Sequence, residues 1–411
     1  MTQPGRFDLP QGDRRPAAED RPMPRVLDTD LPLLRIRGRS ALPIVQGGMG
    51  VGVSAHRLAG SVARLGAVGT LSSVDLRRHH ADLMAQTGKS RDKALINRAN
   101  LTALDREIRA ALALAEGNGI VAVNIMRAVS EYAPYVRQAC ESGIQAIVVG
   151  AGLPLDLPEL TTDYPDVALV PILSDARGIG VVLKKWMRKN RLPDVIVIEH
   201  PNWAGGHLGA AKIEDLGDAR FEFATVLEGT FRIFAELGIE REAIPLIVAG
   251  GIETPQRVRE LLALGASAVQ LGTAFAVTEE GDAHPVFKKV LAEAKREDIV
   301  EFMSVAGLPA RAVRTPWLVN YLGKLPALER RTKPRAACTL AFDCLQSCGL
   351  RDGLARAGQF CIDLQLAAAL KGDLEHGLFF RGAGKLPFGD RIRPVRELVD
   401  YLLNGTAPQT A

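Results

Sequence analysis

Residues 244–276 read IPLIVAGGIETPQRVRELLALGASAVQLGTAFA, and the punctuation of this stretch decides the fold. Ile244 to Ala249 is a short apolar run of the kind that becomes a strand buried on both faces. Gly250 and Gly251 follow at once. Thr254 is placed to cap a helix and Pro255 to occupy its first turn. Arg257 to Leu264 carries helical spacing, and Gly265 supplies the stop signal. Ala268 to Leu271 is a second buried strand, closed by Gly272 and Thr273. Two parallel strands ending in Gly-rich turns set bare backbone N–H groups side by side, an arrangement that favours a phosphate. In a (β/α)8 barrel the turns after the seventh and eighth strands often form such a site.

Working back from this pair, six more apolar runs alternate with helical segments. The expected strands are Leu42 to Val45, Ala67 to Leu71, Ile120 to Ile125, Ala146 to Val149, Ala168 to Ile172 and Val195 to Ile198. The intervening helices are expected over Ser54 to Leu65, Leu101 to Ala115, Tyr132 to Ser142, Ala176 to Lys189 and Phe221 to Leu237. Strict alternation specifies a parallel sheet with helices outside, and eight units favour closure into a TIM barrel. No G-x-G-x-x-G with a distal acidic residue stands in strand-helix context, which argues against an open dinucleotide-binding sheet. The fold class read from sequence is therefore α/β, a (β/α)8 barrel over about residues 31–319. Residues 1–30 are expected as a disordered arm. Residues 320–411 are expected as a cysteine-bearing C-terminal extension packed on the barrel, with Pro309 to Arg335 irregular.

The chain has 411 residues, 47% of them hydrophobic, and a net charge of +4 with both signs interspersed. That length supports a large core. The charge is too mild to argue for nucleic acid or an anionic membrane surface. No apolar run approaches the roughly 18 residues of a membrane span, and no apolar signal segment opens the sequence. A cytoplasmic location is the expectation, with no nucleic-acid or membrane partner. Five cysteines, an odd number, argue against a disulfide framework.

In a barrel the polar and Gly-rich residues at strand ends carry the chemistry. The turn after the sixth strand is the sharpest: EHPNWAGGHLG, Glu199 to Gly209. Gly205 and Gly206 permit a tight turn, and His207 then projects on the catalytic face, where an imidazole can take a proton near neutral pH. Glu199 can hydrogen-bond a ligand or cap the loop, and Trp203 can form a substrate wall or simply pack. The first turn, Gln46, Gly47, Gly48 and Met49, can let a flat ring lie against backbone. Asn124, at the end of the third strand, can bond ring heteroatoms. Gln270 lies inside the eighth strand, where a buried amide needs partners.

The cysteines Cys338, Cys344, Cys348 and Cys361 place four thiols in one short stretch. Four thiolates suit zinc or an iron–sulfur cluster. The spacing lacks paired C-x2-C motifs, and buried apolar thiols are the alternative.

Six motifs in order resemble the nitronate monooxygenase (2-nitropropane dioxygenase-like) family of FMN flavoproteins. They are QGGMG at 46–50, VNIM at 123–126, GAGLP at 150–154, AGGHLG at 204–209, AGGI at 249–252 and QLGTAF at 270–275. The resemblance implies FMN, with its phosphate at Gly250, Gly251, Gly272 and Thr273. It implies His207 as catalytic base, and flavin contacts from Asn124, Gln270 and the backbone near Met49. The same barrel is similar to flavin-dependent enoyl-ACP reductases. The implied substrate is a small molecule, a nitronate with O2 or an enoyl thioester with NAD(P)H. A flavin-binding protein without turnover is the alternative of another class.

Overall fold

The computed structural model describes residues 27–333 and 344–407. Its centre is a closed parallel barrel of eight strands. They are β1 (Ile44–Gln46), β2 (Val68–Ser72), β3 (Ile120–Met126), β4 (Ala146–Gly150), β5 (Ala168–Leu173), β6 (Ile196–Glu199), β7 (Leu246–Ala249) and β8 (Ala268–Leu271). Closure is made by β8 against β1, with Val269 opposite Ile44 and Leu271 opposite Gln46. The eight expected runs are these eight strands, each within two residues at either end.

Alternation along each strand sorts side chains to two sides. Val121, Val123 and Ile125 face outward into the cluster shared with the helices. Ile120 and Ala122 face the barrel interior, with Val45, Val68, Ala146, Val148, Val170, Val197, Ile247 and Ala268. A hairpin of Leu34–Ile36 and Arg39–Ala41 adds Leu34, Ile36 and Ala41 to that interior cluster. It plugs the end where the strands begin. Arg37 pairs there with Asp194 at 2.8 Å, and Asp194 also accepts from the Leu169 backbone N–H. The bottom is therefore sealed and the mouth is left for a site.

The helices form the outer ring. Thr254 caps Pro255–Ala263 by accepting from Arg257 N, as its sequence position predicts. The long helix Lys93–Ala115 packs on His56–Arg64. At its centre the buried Glu107 accepts from His56 N and His56 Nδ1 and lies 3.0 Å from His80 Nε2.

Three features differ from the sequence expectations. Residues 27–30 are not part of a loose arm. Leu27 is buried and Asp30 pairs with Arg259 at 2.9 Å. The rest of the expected arm lies outside the described residues. Pro309–Val313 is not irregular but a buried strand, and Pro316–Arg330 is a helix with Thr315 as its cap. Pro316 sits in the first helical turn, where its missing N–H has no partner to lose. Finally, Ile299–Met303, Pro309–Val313 and Gly206–His207 form a three-stranded antiparallel sheet. The later segment folds back: Val395–Asn404 packs on Pro255–Ala263 and His56–Arg64.

Candidate active site at the barrel mouth

The interior alternation continues upward past the last apolar layer. After Ala122 comes Asn124, after Val148 Gly150, after Val170 Ile172, after Val197 Glu199 and after Ala268 Gln270. These five end the interior rows, and all line one cavity of about 330 Å³. Pairing puts Ala249 beside both Glu199 and Gln270. The side-chain amides of Asn124 and Gln270 have no hydrogen-bond partner among the described residues, although Gln270 is buried. Both amides open onto the cavity, where a ligand or water can complete them.

Two backbone features open the cavity to a flat ligand. A Cβ on Gly48 would lie 2.4 Å from Asn124 Cβ, and one on Gly47 would lie 3.2 Å from Gln270 Nε2. Only glycine lets this turn pass so close to the amides. Gly250 and Gly251 adopt φ +114 and +68 with Trp203 packed against them. Together with Gly272 and Thr273 they line the same cavity. A Cβ on Gly272 would meet only the Met49 side chain, Sδ at 3.7 Å and Cγ at 3.9 Å, so that position opens into free space. These residues fit the flavin that the resemblance implies: two unpaired amides for ring heteroatoms, and bare glycine backbone for a phosphate.

Gln46 stands apart from this group. Its amide exchanges hydrogen bonds with Thr70 and donates to Gly47 O, and it is fully buried between β1 and β2. It holds the turn's first strand rather than the cavity wall. Met49 does line the cavity, and its N–H donates to Ser54 Oγ at 2.8 Å.

His207 is not on a free loop. Its strand pairs with Ala310, and Gly206 pairs with Arg311. Arg311 is fully buried and donates to the carbonyls of Pro201 and Ala204 and to Glu301, so it clamps the whole turn. His207 Nε2 lies 2.9 Å from Ser304 Oγ, and Ser304 also accepts from Ala306 N. Ser304 Oγ can donate or accept, so this bond fixes the ring's orientation, and Nδ1 has no partner among the described residues. Burial pulls the imidazole down to about 4, so the ring is neutral at physiological pH. Its ring lies tilted at 59° to Phe380, with ring centroids 5.9 Å apart. Ser304, Arg311 and Phe380 escape sequence reading because their partners lie about a hundred residues or more away.

Of the other residues in the turn, Trp203 lines the cavity and His200 does not. His200 is buried against Phe223 with Glu222 at 3.6 Å. Gly205 lines the cavity and lets the 381–382 backbone pack on it, since a Cβ there would lie 2.6 Å from Arg381 C and Gly382 N. The segment around residues 380–386, absent from the sequence-based site, closes one side of the mouth. Leu345, Ile362, Leu366 and Leu378 make the adjoining wall apolar.

Glu199 lines the cavity and has no cationic partner among the described residues. Burial alone pushes its carboxyl up to about 7 from the ordinary 4.5. The folded chain thus holds this proton more tightly than the unfolded chain. Stability is accordingly expected to fall as pH rises from 4.5 through 7. Glu199→Gln has no proton to lose. Its melting temperature should match the parent near pH 4.5 and exceed it by about 2 °C or more at pH 8. An unchanged pH dependence in the variant would assign the titration to another group.

The cysteine cluster does not form among the described residues. No three His, Cys, Asp or Glu side chains come together there in a way that could hold a metal. Cys338 lies outside the described residues. Cys344 lines the cavity, Cys348 is buried, and Cys361 stands at the N-terminal boundary of the helix Ile362–Leu370. No metal or cluster is carried forward. Among the described residues no helix is long and apolar enough to cross a membrane.

The family description "Nitronate monooxygenase" matches residues 37–405. The chain belongs to this family of oxidoreductases. It is similar to a nitronate monooxygenase of Pseudomonas aeruginosa, 34% identical over 110 residues, covering 27% of this chain and 29% of that protein. A probable nitronate monooxygenase of Bacillus subtilis is 29% identical over 132 residues, covering 32% and 35%. The matched stretch thus spans about a third of the length of these curated relatives. Among solved structures, FabK from Thermotoga maritima superposes with TM-score 0.57 at 21% identity, over 88% of this chain and 91% of that one. A nitroalkane oxidase from Streptomyces ansochromogenes gives TM-score 0.58 at 20% identity, over 88% and 94%. These likenesses show the shared barrel.

Proposed function

We propose that this chain is an FMN-dependent oxidoreductase that oxidises alkyl nitronates with O2. The observation that carries the reading is the coincidence, in one cavity, of three things. Asn124 and Gln270 present unpaired amides, Gly250, Gly251, Gly272 and Thr273 offer a glycine-lined cradle, and His207 presents a neutral imidazole. When bound, the flavin supplies the electron acceptor for the substrate and passes the electrons to O2. In this reading Asn124 and Gln270 orient the ring system and the four cradle residues hold its phosphate, with the Gly47–Met49 backbone and the Gly205–Gly206 turn as further walls.

His207 takes the α-proton of a neutral nitroalkane, with the Ser304 hydroxyl on Nε2 holding the ring's orientation. A base near 4 is weak in the empty site. A nitronate anion formed beside the ring raises it again, because opposite charges in a dry pocket favour the protonated imidazole. The clamp of Arg311 keeps His207 fixed while the charge develops. A preformed nitronate needs only a hydrogen bond from this ring.

A second reading, an NAD(P)H-dependent enoyl reductase, is supported by the apolar wall of Leu345, Ile362, Leu366 and Leu378. A solved structure described as the enoyl reductase domain of MlnA from Bacillus amyloliquefaciens also shares the barrel, at TM-score 0.52 and 12% identity. Anaerobic reduction of the flavin-loaded protein separates the two. Bleaching of the flavin by an alkyl nitronate and not by NADH or NADPH is the result expected. Bleaching by a pyridine nucleotide alone would favour the reductase, and bleaching by none would leave a flavin-binding protein without turnover.

A further inference from the structure

The strap after Phe380 carries the sequence Arg381-Gly-Ala-Gly-Lys385, a cationic Gly-rich run that the barrel motifs do not include. It lies against both glycine turns of the cradle. Gly382 N donates to Thr273 Oγ1 at 3.1 Å, and a Cβ on Gly384 would lie 3.6 Å from Gly251 Cα. Thr273 is left with its hydroxyl proton to donate. Ala383 N is fixed to Trp203 O at 3.1 Å.

Arg381 gives the strap its shape. Its guanidinium is buried and donates to Leu291 O at 2.8 Å, Gly382 O at 2.7 Å and Gly384 O at 3.1 Å. Every partner is a neutral carbonyl. A buried cation among neutral dipoles is costly unless an anion lies near. Lys385 follows directly, exposed at the cavity edge with no acidic partner among the described residues. The two strap glycines thus lie on the turns Gly250–Gly251 and Gly272–Thr273, flanked in sequence by two positive charges to which no carboxylate among the described residues is bonded.

We propose that this strap is the cationic half of a site for a phosphate monoester, with Lys385 bonding the phosphate of the flavin and Arg381 positioning the strap. The inference rests on the flavin reading above and adds the groups that tell FMN from its dephosphorylated form. Glycine N–H groups alone supply partial charges, whereas a dianionic phosphate gains most from a full positive charge at hydrogen-bond distance.

The test is titration of flavin-free protein with FMN and with riboflavin, following quenching of flavin fluorescence. Lys385→Ala is expected to weaken FMN about tenfold, the value of one charge-assisted hydrogen bond at a partly solvated position. Riboflavin binding should not change, and Lys385→Arg should restore FMN. The FMN advantage of the parent should shrink as salt rises. Equal FMN affinity in Lys385→Ala and the parent would overturn the proposal. So would equal weakening of both flavins, which marks a structural role. Failure of the parent to bind either flavin would overturn the cofactor reading and this proposal with it.

Discussion

Replacing His207 by alanine is expected to slow turnover of a neutral nitroalkane by about two to four orders of magnitude, the usual contribution of a positioned general base. Flavin binding should persist. The imidazole touches Ser304 and Phe380, and Ser304 keeps its bond from Ala306 N when the ring is removed. The sheet that carries residue 207 is held by backbone pairing and by Arg311, neither of which needs the ring. Activity on a preformed nitronate should fall much less, because its proton has already left. The pH profile gives an independent sign. A ring with its pKa lowered to about 4 stays neutral above that value. The acid limb assigned to His207 in kcat/KM should therefore lie near pH 4 rather than near the ordinary 6.5. Small and equal losses on both substrates would remove His207 from the role of base.

The second large effect is expected at Gly272. Gly250 and Gly251 are poor test positions, since their positive φ strains any side chain and Trp203 already presses on them. Gly272 has φ −105, and a Cβ there meets Met49 Sδ only at 3.7 Å. Leucine at this position can fold, and its branched end must occupy the cavity between the two glycine turns. Gly272→Leu should raise the dissociation constant for FMN by about a hundredfold or more, since ring and phosphate cannot both seat. Its circular dichroism and melting temperature in the flavin-free form should stay close to the parent. Undiminished FMN affinity would place the phosphate elsewhere.

The barrel was legible because its strands are buried on both faces. Runs such as Ile120 to Ile125 and Ala146 to Val149 carry no exposed residues to blur the signal, and a polar residue or a glycine, Asn124 and Gly150, marks where the mouth begins. The same rule exposed Asn124, Gln270 and His207. Gln46 was misplaced because β1 continues through it. An amide at a strand end can face either the mouth or the neighbouring strand, and here Thr70 captures it. The sheet under His207 was not legible. Gly206 and His207 have no strand pattern of their own, and their pairing with Ala310 and Arg311 spans about a hundred residues of chain. Ser304 and the 380–386 strap are hidden for the same reason. Sequence spacing also gathered the cysteines, yet Cys344, Cys348 and Cys361 go to a cavity wall, a buried core and a helix start.

The central claim is that the cavity between Asn124, Gln270 and the two glycine turns holds one FMN. The most direct measurement is the absorbance of protein purified without added flavin, followed by heat release and chromatography of the chromophore, with FMN titration of any flavin-free fraction. The expected result is a yellow protein with up to one equivalent of FMN per chain and no FAD, any flavin-free fraction filling to one equivalent on titration. A colourless protein that takes up no FMN on titration would contradict it.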